Sequence, residues 1–161
     1  MTQPAPSPEH PVEDPRIQAV GVLLNTSALL ERFLGAAIQR EAGISHSVFE
    51  VLLILSGHPG GAPVGRLCEQ LVLTSGGATR LVDRMVEAGL VTREPSAEDR
   101  RVQLVLLTEQ GERTLRRAAA AHTRELDRVL ADALAPGQAA AMVEGLDLLG
   151  RRLREELPPL R

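Results

Sequence analysis

Between Pro63 and Leu107 the spacing of apolar residues switches from a helical period to a strand period, and this switch constrains the fold more than any other feature of the chain. Pro63 suits the first turn of a short helix in which Val64, Leu67 and Leu71 point inward and Arg66, Glu69 and Gln70 outward. A turn through Val72 and Leu73 comes next. Thr74 or Ser75 then caps a second helix, whose Ala78, Leu81, Val82, Met85 and Val86 form one apolar face before Gly89 stops it. Leu90–Arg93 and Val102–Leu107 are β-prone and enclose a polar loop, Glu94–Arg101. The pattern is two short helices joined by a tight turn, then a hairpin with a long charged tip.

The flanks read as longer helices. From Pro15 onward, Ile17, Val20, Leu24, Leu30, Phe33 and Ile38 share a broad stripe, and Gly43 offers a stop. Ser45 caps a short helix carrying Val48, Val51, Leu52 and Leu55, which Gly57, Pro59, Gly60 and Gly61 break. Thr108 caps the next helical segment, and residues 112–134 form a long helix whose alanines at 118–121 let another helix come close. Pro136 suits the first turn of a last helix, striped by Met142, Leu146, Leu149, Leu153 and Leu157 until Pro158 and Pro159 end it. Residues 1–15 contain five prolines and read as a disordered arm.

A length of 161 residues suits one domain, here residues 16–161. The longest apolar runs, such as Val51–Leu55, fall far short of the roughly 20 residues that span a bilayer, so no membrane partner is expected. The N-terminal stretch resembles neither a secretory signal nor a basic transit peptide, and the expected location is cytoplasmic. All eighteen basic residues are arginine, and the net charge is −3. That balance argues against a nonspecific polyanion binder, whose whole surface is basic, but is compatible with a local DNA-reading surface.

A helix-turn-helix followed directly by a hairpin puts one helix end and one loop on the same side of a small lobe, as proteins do when they engage a major groove and a flanking minor groove. The run Ala78–Val91, then Asp99-Arg100-Arg101, then Leu107-Thr108 and Gly111, resembles the MarR family of transcriptional regulators. The resemblance covers about residues 17–157 and is strongest from 64 to 111. It implies a mainly α fold with a small β-hairpin wing: a winged helix-turn-helix core over about 45–107, flanked by dimerisation helices over about 16–42 and 112–157. It also implies a homodimer on a pseudo-palindromic operator in double-stranded DNA, with Thr74–Ala88 as the recognition helix.

On that resemblance Gly76, Gly77, Thr79 and Arg80 lie nearest to bases. Thr74 and Ser75 sit where a helix N-terminus offers free amides to a phosphate, and the two glycines have no side chain to hold the backbone off DNA. Each glycine costs about 1 kcal/mol in helix propensity relative to alanine, so a frayed first turn is the competing reading. The pair also departs from the polar residues usual there in the family. Arg80 suits a bidentate guanine contact or a phosphate clamp, against a salt bridge to Asp83 or Glu87. Arg84, a turn further on, suits phosphate, with a pair to Glu87 as the alternative. In the wing, the resemblance has Asp99 orienting an arginine, Arg100 or Arg101, that enters the minor groove or grips phosphate. Residues 64–107 carry six basic and six acidic side chains, which makes affinity depend on geometry and dimerisation more than on bulk charge.

The resemblance further implies a small-molecule effector bound between the DNA-reading lobe and the dimerisation helices, and repression by promoter occlusion. Cys68 reads as a core residue, and His10, His46, His58 and His122 lack close metal-ligand spacing, so neither a metal nor another cofactor is expected. No phosphate-binding glycine motif, zinc-binding His-Glu pattern or serine elbow is present, and the chain is not expected to be an enzyme. The alternative function is a winged-helix module for protein interaction that has given up DNA, motivated by the acidic net charge.

Overall fold

The computed structural model describes residues 11–71 and 73–158. Its helices are α1 (Pro15–Ala42), α2 (His46–Ser56), α3 (Val64–Leu71), α4 (Ser75–Glu87), α5 (Glu109–Ala133) and α6 (Pro136–Glu156). Three strands, β1 (Ala62–Pro63), β2 (Val91–Pro95) and β3 (Gln103–Leu107), form an antiparallel sheet in the order β1-β3-β2. The mainly α class and the wing hairpin agree with the sequence reading, and Ser45, Thr74 and Thr108 each cap a helix through a side-chain oxygen.

Several boundaries differ. Residues 1–10 of the expected arm and Val72 of the expected turn lie outside the described residues, whereas Pro11–Glu13 forms a single 3-10 turn. Asp14 then caps α1, its Oδ1 accepting the Arg16 backbone N–H at 2.9 Å. The Arg16 guanidinium bonded to that carboxylate is the main reason its pKa is held down to about 2. Pro63 does not open α3 but ends β1, where Ala62 pairs with Val105 and Pro63 with Leu104. At the end of a two-residue edge strand the missing proline N–H breaks no ladder. β2 runs on to Pro95, opposite Gln103, which shortens the loop expected from residue 94. α5 starts at Glu109 rather than 112, because the Thr108 cap holds the first turn directly.

One core unites the lobe. Ile38 of α1, Phe49, Val51, Leu52 and Leu55 of α2, Leu67 of α3, Leu81, Val82 and Met85 of α4, Val91 and Val105 of the sheet and Ala118 of α5 are all buried in it. Ala118 and Ala121 are fully covered, and α1 packs along α5 as the small residues allow. Cys68 is buried beside Leu67, as its spacing predicts. Val86 departs from the predicted apolar face and lies exposed.

The flanking helices are covered only in part. In α1, Leu34, Ala37, Ile38 and Ala42 are buried, but Ile17, Val20, Val22, Leu24 and Leu29 are exposed. In α6 none of the described residues is buried, and Met142, Leu146, Leu149 and Leu153, with Leu157 just after the helix, lie open. By length and apolarity alone α1 meets what a bilayer span needs, which the short apolar runs did not suggest. Its C-terminal half is nevertheless packed in the lobe core.

Candidate nucleic-acid interface

α4 buries Ala78, Leu81, Val82 and Met85, which turns the stripe Gly76, Thr79, Arg80, Asp83, Arg84 and Glu87 outward at i, i+3 and i+4 spacing. The first turn is well formed rather than frayed: Thr74 Oγ1 accepts the Gly77 N–H at 3.2 Å and the Thr74 carbonyl accepts the Ala78 N–H at 3.0 Å. The N–H groups of the first helical residues, Ser75 and Gly76, have no partner of their own within an α-helix and face outward. A Cβ on Gly76 would meet nothing within 4 Å, whereas one on Gly77 would lie 3.1 Å from the capping hydroxyl of Thr74. Gly77 therefore serves the cap, and no packing within the chain requires Gly76.

The charged side chains are arranged differently from the alternatives posed by the sequence. Asp83 does not pair with Arg80. It takes Arg93 of β2, with the guanidinium Nη1 2.6 Å from its Oδ1. Arg84 makes no pair with Glu87. Among the described residues, Arg80, Arg84, Arg100 and Arg101 take part in no ion pair, and all four are exposed. Arg93 is the residue that sequence reasoning missed: it reads as an ordinary strand end, and only the register of β2 beside α4 brings it to Asp83.

The wing tip corrects the expectation for Asp99. Its Oδ1 accepts the backbone N–H of Arg101 at 2.9 Å, so it shapes the loop and does not hold a guanidinium. The Asp99 carbonyl accepts the Val102 N–H at 2.9 Å, and the Val102 carbonyl accepts the Ser96 N–H at 2.8 Å, closing the tip below Arg100 and Arg101.

At the wing base, three successive carbonyls of the α4–β2 turn are received by the start of α5. Ala88 O accepts from Gln110 Nε2 at 3.2 Å, Gly89 O from the Thr108 hydroxyl at 2.7 Å, and Leu90 O from the Thr108 N–H at 3.1 Å. Gly89 has φ of +69°, the left-handed conformation that lets the chain turn there. Gly111 packs against the same turn so closely that an ideal Cβ would lie 2.0 Å from Leu90 O.

Behind this face, His46 of α2 and His122 of α5 come together, which their separation in sequence gave no means of seeing. Their ring centroids are 6.0 Å apart, and Phe49 lies 5.0 Å from His122. His46 Nδ1 is 3.7 Å from a Glu50 carboxylate oxygen. Burial, and secondarily the charge of His46, lowers the His122 pKa below its ordinary 6.5. The unfolded chain therefore binds the proton first as pH falls. Stability should drop as pH falls from 6.5 toward the depressed value and level off below it, and His122→Gln should flatten that slope. Thermal unfolding between about pH 8 and pH 5 checks this, and an equal slope in the variant would assign the effect elsewhere. Among the described residues no three His, Cys, Asp or Glu side chains are grouped to hold a metal ion.

A cleft of about 380 Å³ opens between α1 and α5, lined by Leu29, Phe33, Ala37, Arg32, Arg40 and Arg128, among others. The Arg128 guanidinium lies over the Phe33 ring, 5.0 Å from its centroid.

A helix-turn-helix made of α3 and α4, followed by a hairpin tied back to α4, defines this chain as a winged helix-turn-helix protein. The model of the MarR family matches residues 42–102. The chain is similar over 92% of its length to Sco3205 of Streptomyces coelicolor, a MarR family transcriptional regulator solved in complex with DNA, at 27% identity, with a TM-score of 0.82 and 98% of that chain covered. AbsC of S. coelicolor, another MarR family regulator, is also 27% identical, with a TM-score of 0.79 over 88% of this chain and 96% of that one. An uncharacterised HTH-type transcriptional regulator of Bacillus subtilis, YfiV, is 35% identical over 104 residues, 65% of this chain. The match spans 64% of the length of that relative, and 60% of MhqR, another B. subtilis regulator, which is 32% identical.

Proposed function

We propose that this chain is a homodimeric, sequence-specific regulator of transcription that binds double-stranded DNA at a pseudo-palindromic operator in the cytoplasm. The observation that carries the reading is the set of free arginines: Arg80 and Arg84 on the outward stripe of α4, and Arg100 and Arg101 on the wing tied to it through Arg93. An unpaired guanidinium gives up no internal partner when it meets a phosphate or a base. Thr74, Ser75, Gly76, Gly77 and Thr79 form the start of the same face, where backbone amides suit phosphate. The partner copy supplies the second half of the palindrome, and half-sites about 10 base pairs apart put two recognition helices in successive major grooves.

The exposed apolar side chains of α1 and α6 support the homodimer. Leaving Leu146, Leu149 and Leu153 in water forfeits burial worth roughly 1.5–3 kcal/mol for each side chain fully covered, and a second copy recovers it. The regulator acts as a repressor by covering a promoter, and a small-molecule effector bound between the DNA-reading lobe and the dimerisation helices releases it. Selection from a random duplex pool at near-physiological salt tests the reading, because weak nonspecific binding fades there. An enriched palindrome is the expected result. A folded dimer that enriches nothing would instead support a module for protein interaction, in keeping with its net charge of −3.

A further inference from the structure

We infer that direct reading of bases in the major groove rests on one side chain per protomer, Arg80, and that its target is a guanine. This deepens the proposed function and depends on it. Few hydrogen-bonding groups are left free on the outward face of α4. Thr74 holds its hydroxyl oxygen at the helix cap, where it accepts the Gly77 N–H and keeps only its own O–H to donate, and Thr79 donates its hydroxyl to the Ser75 carbonyl at 2.8 Å. Thr79 therefore has no donor left for a base edge, and keeps only acceptor lone pairs and a methyl group that suits a thymine methyl. Gly76 and Gly77 contribute no side chain at all.

Ser75 stands at the first helical position, where the free amides suit phosphate, and Arg84 is a full turn beyond Arg80. Asp83, three residues after Arg80, is the natural competitor for that guanidinium. Its engagement by Arg93 at 2.6 Å removes the competition. What is left near the leading end of the helix is one exposed planar fork of donors, and a guanine, with O6 and N7 side by side, is the base edge that accepts such a fork in bidentate fashion.

Each half-site should then contain one strongly specified guanine, flanked by positions under the glycine pair that tolerate change. Replacing that guanine should weaken binding about 5- to 150-fold, the range that corresponds to one bidentate arginine contact. The test compares the motifs that the full-length wild-type chain, Arg80→Ala and Arg80→Lys each select from a random duplex pool. The wild type should select a symmetric pair of guanines. Both variants should lose that preference and keep the remainder of the motif, since a lysine restores charge without the fork. A guanine preference that survives in Arg80→Ala, or a wild-type half-site with several adjacent base pairs equally constrained, would overturn the assignment while leaving DNA binding intact. No selection by the wild type would overturn both this assignment and the function on which it rests.

Discussion

Replacing Gly111 by alanine is expected to destabilise the fold by about 3 kcal/mol or more, toward the upper end of what overpacking costs. A Cβ there would lie 2.0 Å from the Leu90 carbonyl oxygen and 3.1 Å from its carbon, distances that no rotamer relieves because the obstacle is backbone. The Leu90 carbonyl is itself held by the Thr108 N–H, and the Gly111 N–H is held by the Thr108 hydroxyl at 2.9 Å. To make room, the first turn of α5 has to leave the wing base and give up the cap. Urea unfolding measures the change as a shift of the midpoint at constant slope. A loss below about 1 kcal/mol would mean that the turn swings aside cheaply and that the contact is not a constraint.

Removing the Arg101 side chain is expected to weaken specific DNA binding by roughly 1 to 3 kcal/mol for each protomer's arginine, with no loss of the dimer. The residue is exposed and its side chain makes no ion pair, so Arg101→Ala removes nothing on which the fold depends. Asp99 holds only the Arg101 backbone, so the loop keeps its shape in the variant. A titration of the selected operator at several salt concentrations measures the effect. If the guanidinium grips phosphate, the salt dependence should fall by about one counterion per arginine; if it enters the minor groove, affinity should fall mainly on sequences with a narrow groove. Unchanged affinity would take the wing tip out of the interface.

Much of this architecture is written locally in the chain. Ser45, Thr74 and Thr108 stand immediately before apolar periodic segments and cap them, because capping depends on side chains within three residues. The wing hairpin is legible for the same reason. Long-range placements are not. The two residues of β1 carry no strand signal, and Pro63 beside a helical pattern points to a helix start; β1 exists because Ala62 finds Val105 across the sheet. Of the residues of the candidate interface, the exposure of Arg80, Arg84, Arg100 and Arg101 can be read from helical spacing and loop polarity. Their freedom from ion pairs cannot, since Arg80 has Asp83 and Glu87 nearby in sequence, whereas the actual partner of Asp83 is ten residues away on another element. Asp99 misled in the opposite way: beside two arginines it suggests a carboxylate–guanidinium contact, but the nearest donor in a tight loop is a backbone N–H.

The carbonyls of Ala88, Gly89 and Leu90, taken in order by Gln110 and Thr108, make the junction of α4, the wing and α5 a joint without slack. Arg93 braces the same joint from the far side through Asp83. Any twist applied to α5 therefore reaches α4 and the wing together, as a crank turns two arms fixed to one shaft. Two contacts fixed to a common shaft cannot be withdrawn one at a time. On the proposed function, displacement of the shaft lifts both from their grooves in one movement.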